Sequence, residues 1–582
     1  MVVVTTTARM ILVFCLVQMT ALAFAVDAPD RTETSPVTHM VVAANPHASR
    51  TGMDMLLAGG SAADAAVAIE LVLSLVEPQS SGIGGGAFML YYDAAAEPTN
   101  RIKAYDGRET APQQIGPNLF EGVEKSRAGF LDASLGGRST GTPGALSMLY
   151  LVHQKHGKLP WKNLFQNAIE LAENGFSISP RLHFLLDRDP LLRKVPGSYR
   201  YFYDEEGKAR AVGHVLKNPE YAHTLKLIAV QGPKVFYQGE IAKKILASVH
   251  GSVKNPGKLS MSDMIGYKSK IREPVCAPYR SFTICSMSPP SSGGITVSAI
   301  LGILESFDLA AMSADDPKAI HLVLEAEKLA YADRDYYVAD PDFVNVPQDG
   351  MLNKAYLQSR ASLIDFDKTM GRAAHGTPPF APTVSNYSEG FTPELPSTSH
   401  FSIVDQWGNV VAMTASVGNA FGNRHMAAGF MLNNELTDFT FFGINSEILP
   451  ANAPAGGKRP RSSMAPTIVL DEQDRPVLVI GTAGGSSIIA FVAQSIINVL
   501  DWKMSVEEAV NTPHFMSRNG PVILERDPAT HVLIAPLTAM GHDVEERTVN
   551  SGLHGIRIRY GKDGIELEGG ADKRREGLVL VQ

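Results

Sequence analysis

Cysteine is scarce here, three in 582 residues. The pair His153 and His156 has no acidic or cysteine companion at ligand spacing and reads as a surface helix end, so the sequence offers no metal site. Charge is modest as well, at 19% with a formal balance of −8. With no long basic run, this excludes a general nucleic-acid binder, and Lys573-Arg574-Arg575 near the C-terminus reads as a solvated patch. No internal repeat or low-complexity block stands out. The apolar run Met10 to Val17 is broken at Gln18 and Thr20, which makes it short for spanning a bilayer. Gly82-Ile83-Gly84-Gly85-Gly86-Ala87 loosely fits a dinucleotide fingerprint. It follows polar residues and leads into a strand, so the phosphate-binding helix that motif needs is missing. The length would suit three or four domains, yet no linker divides the chain except the one before Thr398.

What is present describes an ordinary globular enzyme with an ample core, 45% of it hydrophobic. Arg9 ahead of the short apolar run, with Ala23-Phe24-Ala25 after it, reads as a secretion signal over residues 1–25. Cleavage after Ala25 is expected, with export to the periplasm or the medium and no stable membrane span afterwards. That step removes Cys15 and leaves Cys276 and Cys285. These flank a hairpin turning at Arg280-Ser281, a register that sets them opposite each other. A disulfide and two buried free thiols stand as equal readings, and neither makes a catalytic cysteine.

Punctuation by glycine and proline gives coarse elements. A small-residue helix opens at Ser61, and Ala87 to Tyr92 reads as a strand. Helical regions run from Trp161 to Asn174, from His321 to Asp335 and from Ile488 to Val499. Strands are expected at Pro466 to Leu470 and Pro476 to Ile480.

The richest stretch is Ser397-Thr398-Ser399-His400-Phe401-Ser402-Ile403-Val404-Asp405. A Pro-, Gly- and Ser-rich segment, 376–396, leads into alternating strand residues, with Val410 to Thr414 after the turn Gln406-Trp407-Gly408-Asn409. This layout suits a chain that cuts itself before Thr398. The new N-terminus places a threonine hydroxyl and its own α-amine together at a strand edge. A free α-amine has an ordinary pKa of about 7.7–8.0, near working pH, and can serve as the general base. Taken alone, Ser-Thr-Ser would more often merely open a strand.

Further motifs raise the weight of that reading. Glu77-Pro78-Gln79-Ser80-Ser81-Gly82, Asp106-Gly107-Arg108-Glu109-Thr110-Ala111-Pro112 and Pro289-Pro290-Ser291-Ser292-Gly293-Gly294 precede the threonine. Asn433-Asn434-Glu435-Leu436-Thr437-Asp438, Lys458-Arg459-Pro460-Arg461-Ser462-Ser463 and Gly481-Thr482-Ala483-Gly484-Gly485-Ser486 follow it. In this order, from about Val41 to Asp572, the set resembles the γ-glutamyltranspeptidase family. The resemblance implies an α+β fold, the four-layer αββα sandwich of N-terminal-nucleophile hydrolases. It also implies autocleavage into a large chain, 26–397, and a small chain, 398–582, which together form one unit. Glutathione and related γ-glutamyl compounds are the implied donors, water or amino acids and peptides the acceptors, and no cofactor is implied.

The family motifs transfer residue by residue. Thr398 matches the nucleophile, with Ser397 on the other side of the cleaved bond. Gly484 and Gly485 match the oxyanion hole. Arg108 matches a bidentate clamp for the substrate carboxylate, a task suited to a planar guanidinium. Ser462 and Ser463 match hydroxyls that reach the same carboxylate. Glu435 and Asp438 match acceptors for the substrate ammonium. Two positions depart from the family pattern of threonine and asparagine. Ser416 keeps a hydroxyl that can bond the Thr398 amine, whereas Gly418 loses a contact unless Asn419 replaces it. Gly418 and Glu435 tilt the pocket toward the cephalosporin-acylase branch, so a glutaryl β-lactam acylase is the alternative function. The stretch Asp438 to Lys458 looks short for a lid loop.

Overall fold

The computed structural model describes residues 39–381, 387–388, 397–441, 448–562 and 564–582. The expected signal segment, most of the linker before Thr398 and the middle of the stretch from Asp438 to Lys458 that looks short for a lid lie outside the described residues. Among the described residues no helix is long and apolar enough to cross a membrane.

Thirteen strands build two large sheets. In chain order they begin with β1 (Met40–Ala43), β2 (Gly86–Tyr92), β3 (Ile102–Gly107), β4 (Lys270–Arg272), β5 (Val275–Tyr279) and β6 (Phe282–Ser286). Then come β7 (Ser399–Val404), β8 (Val410–Ser416), β9 (Thr467–Leu470), β10 (Pro476–Gly481), β11 (His554–Gly561), β12 (Gly564–Ala571) and β13 (Leu578–Val581). The first sheet has the order β13-β1-β7-β8-β2-β3-β4, and the second β12-β11-β10-β9-β6-β5. Every pairing in both is antiparallel.

Side-chain alternation along β2 explains the layering. Ala87, Met89 and Tyr91 pack with helices α1 (Pro46–Leu57), α2 (Ala62–Val76) and α3 (Ala145–His156). Phe88, Leu90 and Tyr92 face Ile468, Leu478, Ile480 and Ile556 of the second sheet. That sheet's other face carries α4 (Gly293–Leu304), α5 (Pro317–Tyr337) and α6 (Ile488–Leu500). A sheet covered on both faces reads as a continuous apolar run, because successive side chains point into two different cores. The result is helix, sheet, sheet, helix, the expected αββα order.

Local chemistry fixes the elements that frame strand β7. Ser61 caps α2 through a reciprocal pair, accepting from the Asp64 N–H while Asp64 Oδ2 accepts from the Ser61 N–H at 2.9 Å. Asp405, just past β7, accepts from the first helical N–H, Ala62, at 2.9 Å. Helix α2 is thereby tied to the C-terminal end of β7. The β5–β6 hairpin turns at Arg280, which takes a positive φ of 54°, and pairs Cys276 with Cys285. The two sulfurs are joined in a disulfide, which decides between the two readings.

Two surface expectations need correction. Of Lys573-Arg574-Arg575 only Lys573 is exposed. Arg574 bonds the Glu525 carboxylate at 2.7 Å and Asp572 at 3.0 Å, and Arg575 is buried. The patch is drawn inward because Asp572, which is 1% exposed, requires cationic partners. His156 does end α3, but it stacks on Tyr91 with ring centroids 3.9 Å apart and bonds Tyr105 Oη at 2.7 Å.

Candidate active site

Thr398 lies immediately before β7 and is 4% exposed. Its φ is 97°, a strained conformation for a β-branched residue that costs on the order of 1–3 kcal/mol. Three anchors hold it there. Ser397 Oγ donates to the Gln79 carbonyl at 2.6 Å, and the Gly484 N–H donates to the Ser397 carbonyl at 3.3 Å. Arg575 Nη1 donates to the Thr398 carbonyl at 2.6 Å. The peptide bond between residues 397 and 398 is therefore gripped on both sides. The carbonyl of Ser397 already points at one of the two glycines that match the oxyanion hole.

Thr398 Oγ1 donates to Ser416 Oγ at 3.2 Å. Ser416 ends β8, directly beside β7, and its oxygen also accepts from the Gly418 N–H at 2.9 Å. The glycine run before β2 lets this corner close. A Cβ on Gly85 would fall 2.0 Å from the Ser416 carbonyl oxygen.

A second cluster shares the cavity with Thr398. Arg108, Glu435, Asp438, Ser462, Ser463 and Gly485 all line it. Arg108 follows β3 and is 1% exposed. It bonds Glu435 at 2.5 Å, Asp438 at 2.5 Å, the Pro460 carbonyl at 3.1 Å and the Arg461 carbonyl at 3.2 Å. Burial opposes its charge, but the carboxylates of Glu435, Asp438 and Glu109 hold it protonated, with its pKa raised. Glu109, buried 3.6 Å from the same guanidinium, is pushed far above the usual carboxylate range by burial and by Glu435. The cluster thus sets one cation against three acids, with burial disfavouring the charge on Glu109.

The Gly418 departure has a structural cause. Its φ is 99°, and a Cβ there would fall 1.9 Å from Asn434 Oδ1. Asn419 does line the cavity, but it does not replace a lost acceptor. Its Oδ1 accepts from Arg424 Nη1 at 2.7 Å and from Asn434 Nδ2 at 2.6 Å. Arginine can only donate, so the amide orientation is fixed and Nδ2 is the atom left without a partner among the described residues.

The sequence reading missed two cations at this site. Arg334, on α5, donates to Ser463 Oγ at 2.6 Å and to Ser292 Oγ at 2.9 Å. His321, Glu325 and Lys328 recur at helical spacing as a polar stripe along a helix buried almost throughout, but Arg334, six residues beyond Lys328, falls on another face, so the stripe did not signal it. Arg575 carried no signal either. The stripe also gathers His321, Glu325 and His542, which come within ligand range of one another. The Lys328 ammonium already serves as their cation, donating to Glu325 at 2.8 Å, to Thr369 at 2.6 Å and to His542 at 3.3 Å.

Relatives share this arrangement's sequence order at length. A glutathione hydrolase proenzyme of Escherichia coli (strain K12) is 35% identical over 92% of this chain and 90% of its own. One from Bacillus subtilis (strain 168) is 34% identical over 93% and 91%. Among solved structures, a cephalosporin acylase from Bacillus halodurans superposes with a TM-score of 0.79 over 94% of this chain and 96% of its own. At 24% identity that likeness speaks for the fold alone. The sequence profile of gamma-glutamyltranspeptidase matches residues 48–581. A threonine at the head of an inner strand, a glycine N–H on the preceding carbonyl, and a matched profile over nearly all of the described chain lead to one conclusion: the protein belongs to the gamma-glutamyltranspeptidase family.

Proposed function

We propose that the protein is an autoprocessing γ-glutamyl hydrolase and transferase acting on glutathione and related amides. The observation that carries this is the shared cavity. One guanidinium, two carboxylates and two serine hydroxyls face the same space as Thr398. A γ-glutamyl group is a zwitterion at its far end, so its carboxylate can take Arg108, Ser462 and Ser463 while its ammonium takes Glu435 and Asp438. The exchange preserves charge, because in the structure the same groups pair with each other.

Maturation begins when Thr398 Oγ attacks the Ser397 carbonyl carbon. The Ser397–Thr398 amide bond breaks, the hydroxyl proton passes to the freed amine, and an ester remains. Water hydrolyses the ester, leaving the Ser397 carboxylate and a Thr398 with free amine and hydroxyl. In turnover the amine takes the Oγ proton, Oγ attacks the γ-carbonyl, and the proton passes to the departing amine. Gly484 and Gly485 N–H groups stabilise the oxyanion, worth about 3–4 kcal/mol per donor. Water or an acceptor amine then resolves the acyl-enzyme. The processed form is a heterodimer of chains 26–397 and 398–582, exported after signal removal.

Thr398→Ala should remain a single full-length chain and release no product from a γ-glutamyl anilide. Processing into two chains in that variant refutes the nucleophile assignment. A second reading, an acylase for glutaryl amides, is favoured by one observation: Gly418 and the donor-only face of Asn419 supply no acceptor for an ammonium. Assaying one preparation on γ-glutamyl and glutaryl anilides separates the two.

A further inference from the structure

Behind the nucleophile lies a buried cation that the reaction scheme does not use. Arg575 sits between β12 and β13 and is 7% exposed. It donates to two backbone carbonyls, Thr398 at 2.6 Å and Ser551 at 2.8 Å. Among the described residues it has no direct carboxylate partner, and Nη2 has no hydrogen bond at all. A buried guanidinium held mainly by carbonyl oxygens is costly, so its position against the nucleophile residue calls for a function.

Covalent geometry keeps a residue's amine within about 4 Å of its own carbonyl oxygen. Once the Ser397–Thr398 bond is cut, the guanidinium therefore stands close to the new N-terminus. We propose that Arg575 is a positioning residue for Thr398, holding its carbonyl so that the hydroxyl stays aimed, and placing positive charge beside the α-amine so that the amine remains unprotonated at lower pH than an ordinary N-terminus. A like charge disfavours the protonated amine, and only the unprotonated amine can take the Oγ proton. The inference rests on the proposed autocatalytic threonine.

Other charges face the same corner. Glu77, at the C-terminal end of α2, and Arg181 interact with Arg575 from two separate elements, and Asp572 from its own segment. Glu576 faces Glu77. His400 on β7 and His554 on β11 are both pushed down by burial, His554 to about 4, so both are neutral at working pH. On the cavity side, Arg108 is already paired with Glu435 and Asp438. Burial, with Arg181, lowers the Arg575 guanidinium to about 9, still charged at neutral pH.

The test is the pH profile of kcat/KM on a γ-glutamyl anilide for mature wild type, Arg575→Met, Arg575→Lys and Glu77→Gln. Removing the cation should raise the acid-limb pKa by about one pH unit. Lysine should keep that limb within a few tenths of wild type while lowering kcat, because the carbonyl grip is lost. Glu77→Gln should move the limb the opposite way. A merely structural role would change kcat or expression without moving the limb in two directions. The proposal is overturned if the methionine variant matures with an unmoved limb, or if lysine shifts it as far as methionine does. If the methionine variant fails to mature, an unmoved or raised limb in Glu77→Gln overturns it. Wild type without turnover on the anilide would instead strike the functional reading and leave the gel assay of self-cleavage to test Arg575's grip.

Discussion

Replacing Arg108 by lysine should separate the residues proposed to cut the chain from those proposed to read the substrate. Arg108 spends its donors on two carboxylates and two carbonyls, a fork that one ammonium cannot reproduce. Lysine keeps the positive charge, so Glu109, Glu435 and Asp438 are not left uncompensated and folding should survive. What is lost is directional bonding to a carboxylate, at about 1.5–3 kcal/mol for each hydrogen bond to a charged group. With one or two such bonds missing, about 3 kcal/mol corresponds to a roughly 100-fold fall in kcat/KM. Most of it should appear in KM, because the carboxylate is held equally in the ground and transition states. Steady-state kinetics on a γ-glutamyl anilide measures the fall, and a denaturing gel measures self-cleavage. The cut should go to completion, since Ser397, Thr398, Ser416 and Gly484 bond to Gln79, to Arg575 and to one another rather than to Arg108. A variant within threefold of wild type in kcat/KM would show that the fork is not used. An uncut variant would show that the two sets of residues are not separable.

Three further outcomes are expected. Gly418→Asn must either displace Asn434 or abandon a φ of 99°, so its melting temperature should fall by several degrees; an unchanged value sinks the steric argument. Cys276→Ser opens a loop of sequence separation 9, which at about 2.5 kcal/mol of chain entropy should lower the denaturant midpoint, and equal midpoints would contradict it. His514 is pushed down to about 3 by burial and by Arg574. Its contribution to stability is complete above its unfolded value near 6.5 and is lost as pH falls toward 3. The melting temperature of His514→Gln should therefore decline less steeply than wild type between pH 6.5 and 4, and parallel curves would refute the assignment.

How far the sequence could be read depended on which residues signal locally. The nucleophile strand was legible because Phe401, Ile403 and the run from Val410 alternate against turn residues, and the structure starts β7 at Ser399. The hairpin at Arg280 was legible for the same reason. Its oxidation state was not, because opposed cysteines fit both a bridge and two thiols. Layer order had to come from family likeness, since strands buried on both faces lose their alternation. The meeting of Arg108 with Glu435 and Asp438 was foreseen as a common site but not as a direct ion pair. Arg575 was read as solvated because three adjacent cations normally are. Only the fold reveals that the third points inward at Thr398.

The order of the first sheet has a consequence for what a cut before Thr398 would leave. Strand β1, from the segment ahead of Thr398, is flanked by β7 and β13, both from the segment after it. If the bond is cut as proposed, every rung on either side of β1 joins one piece to the other, and the two pieces stay interlaced like fingers, with no tether needed to keep them together.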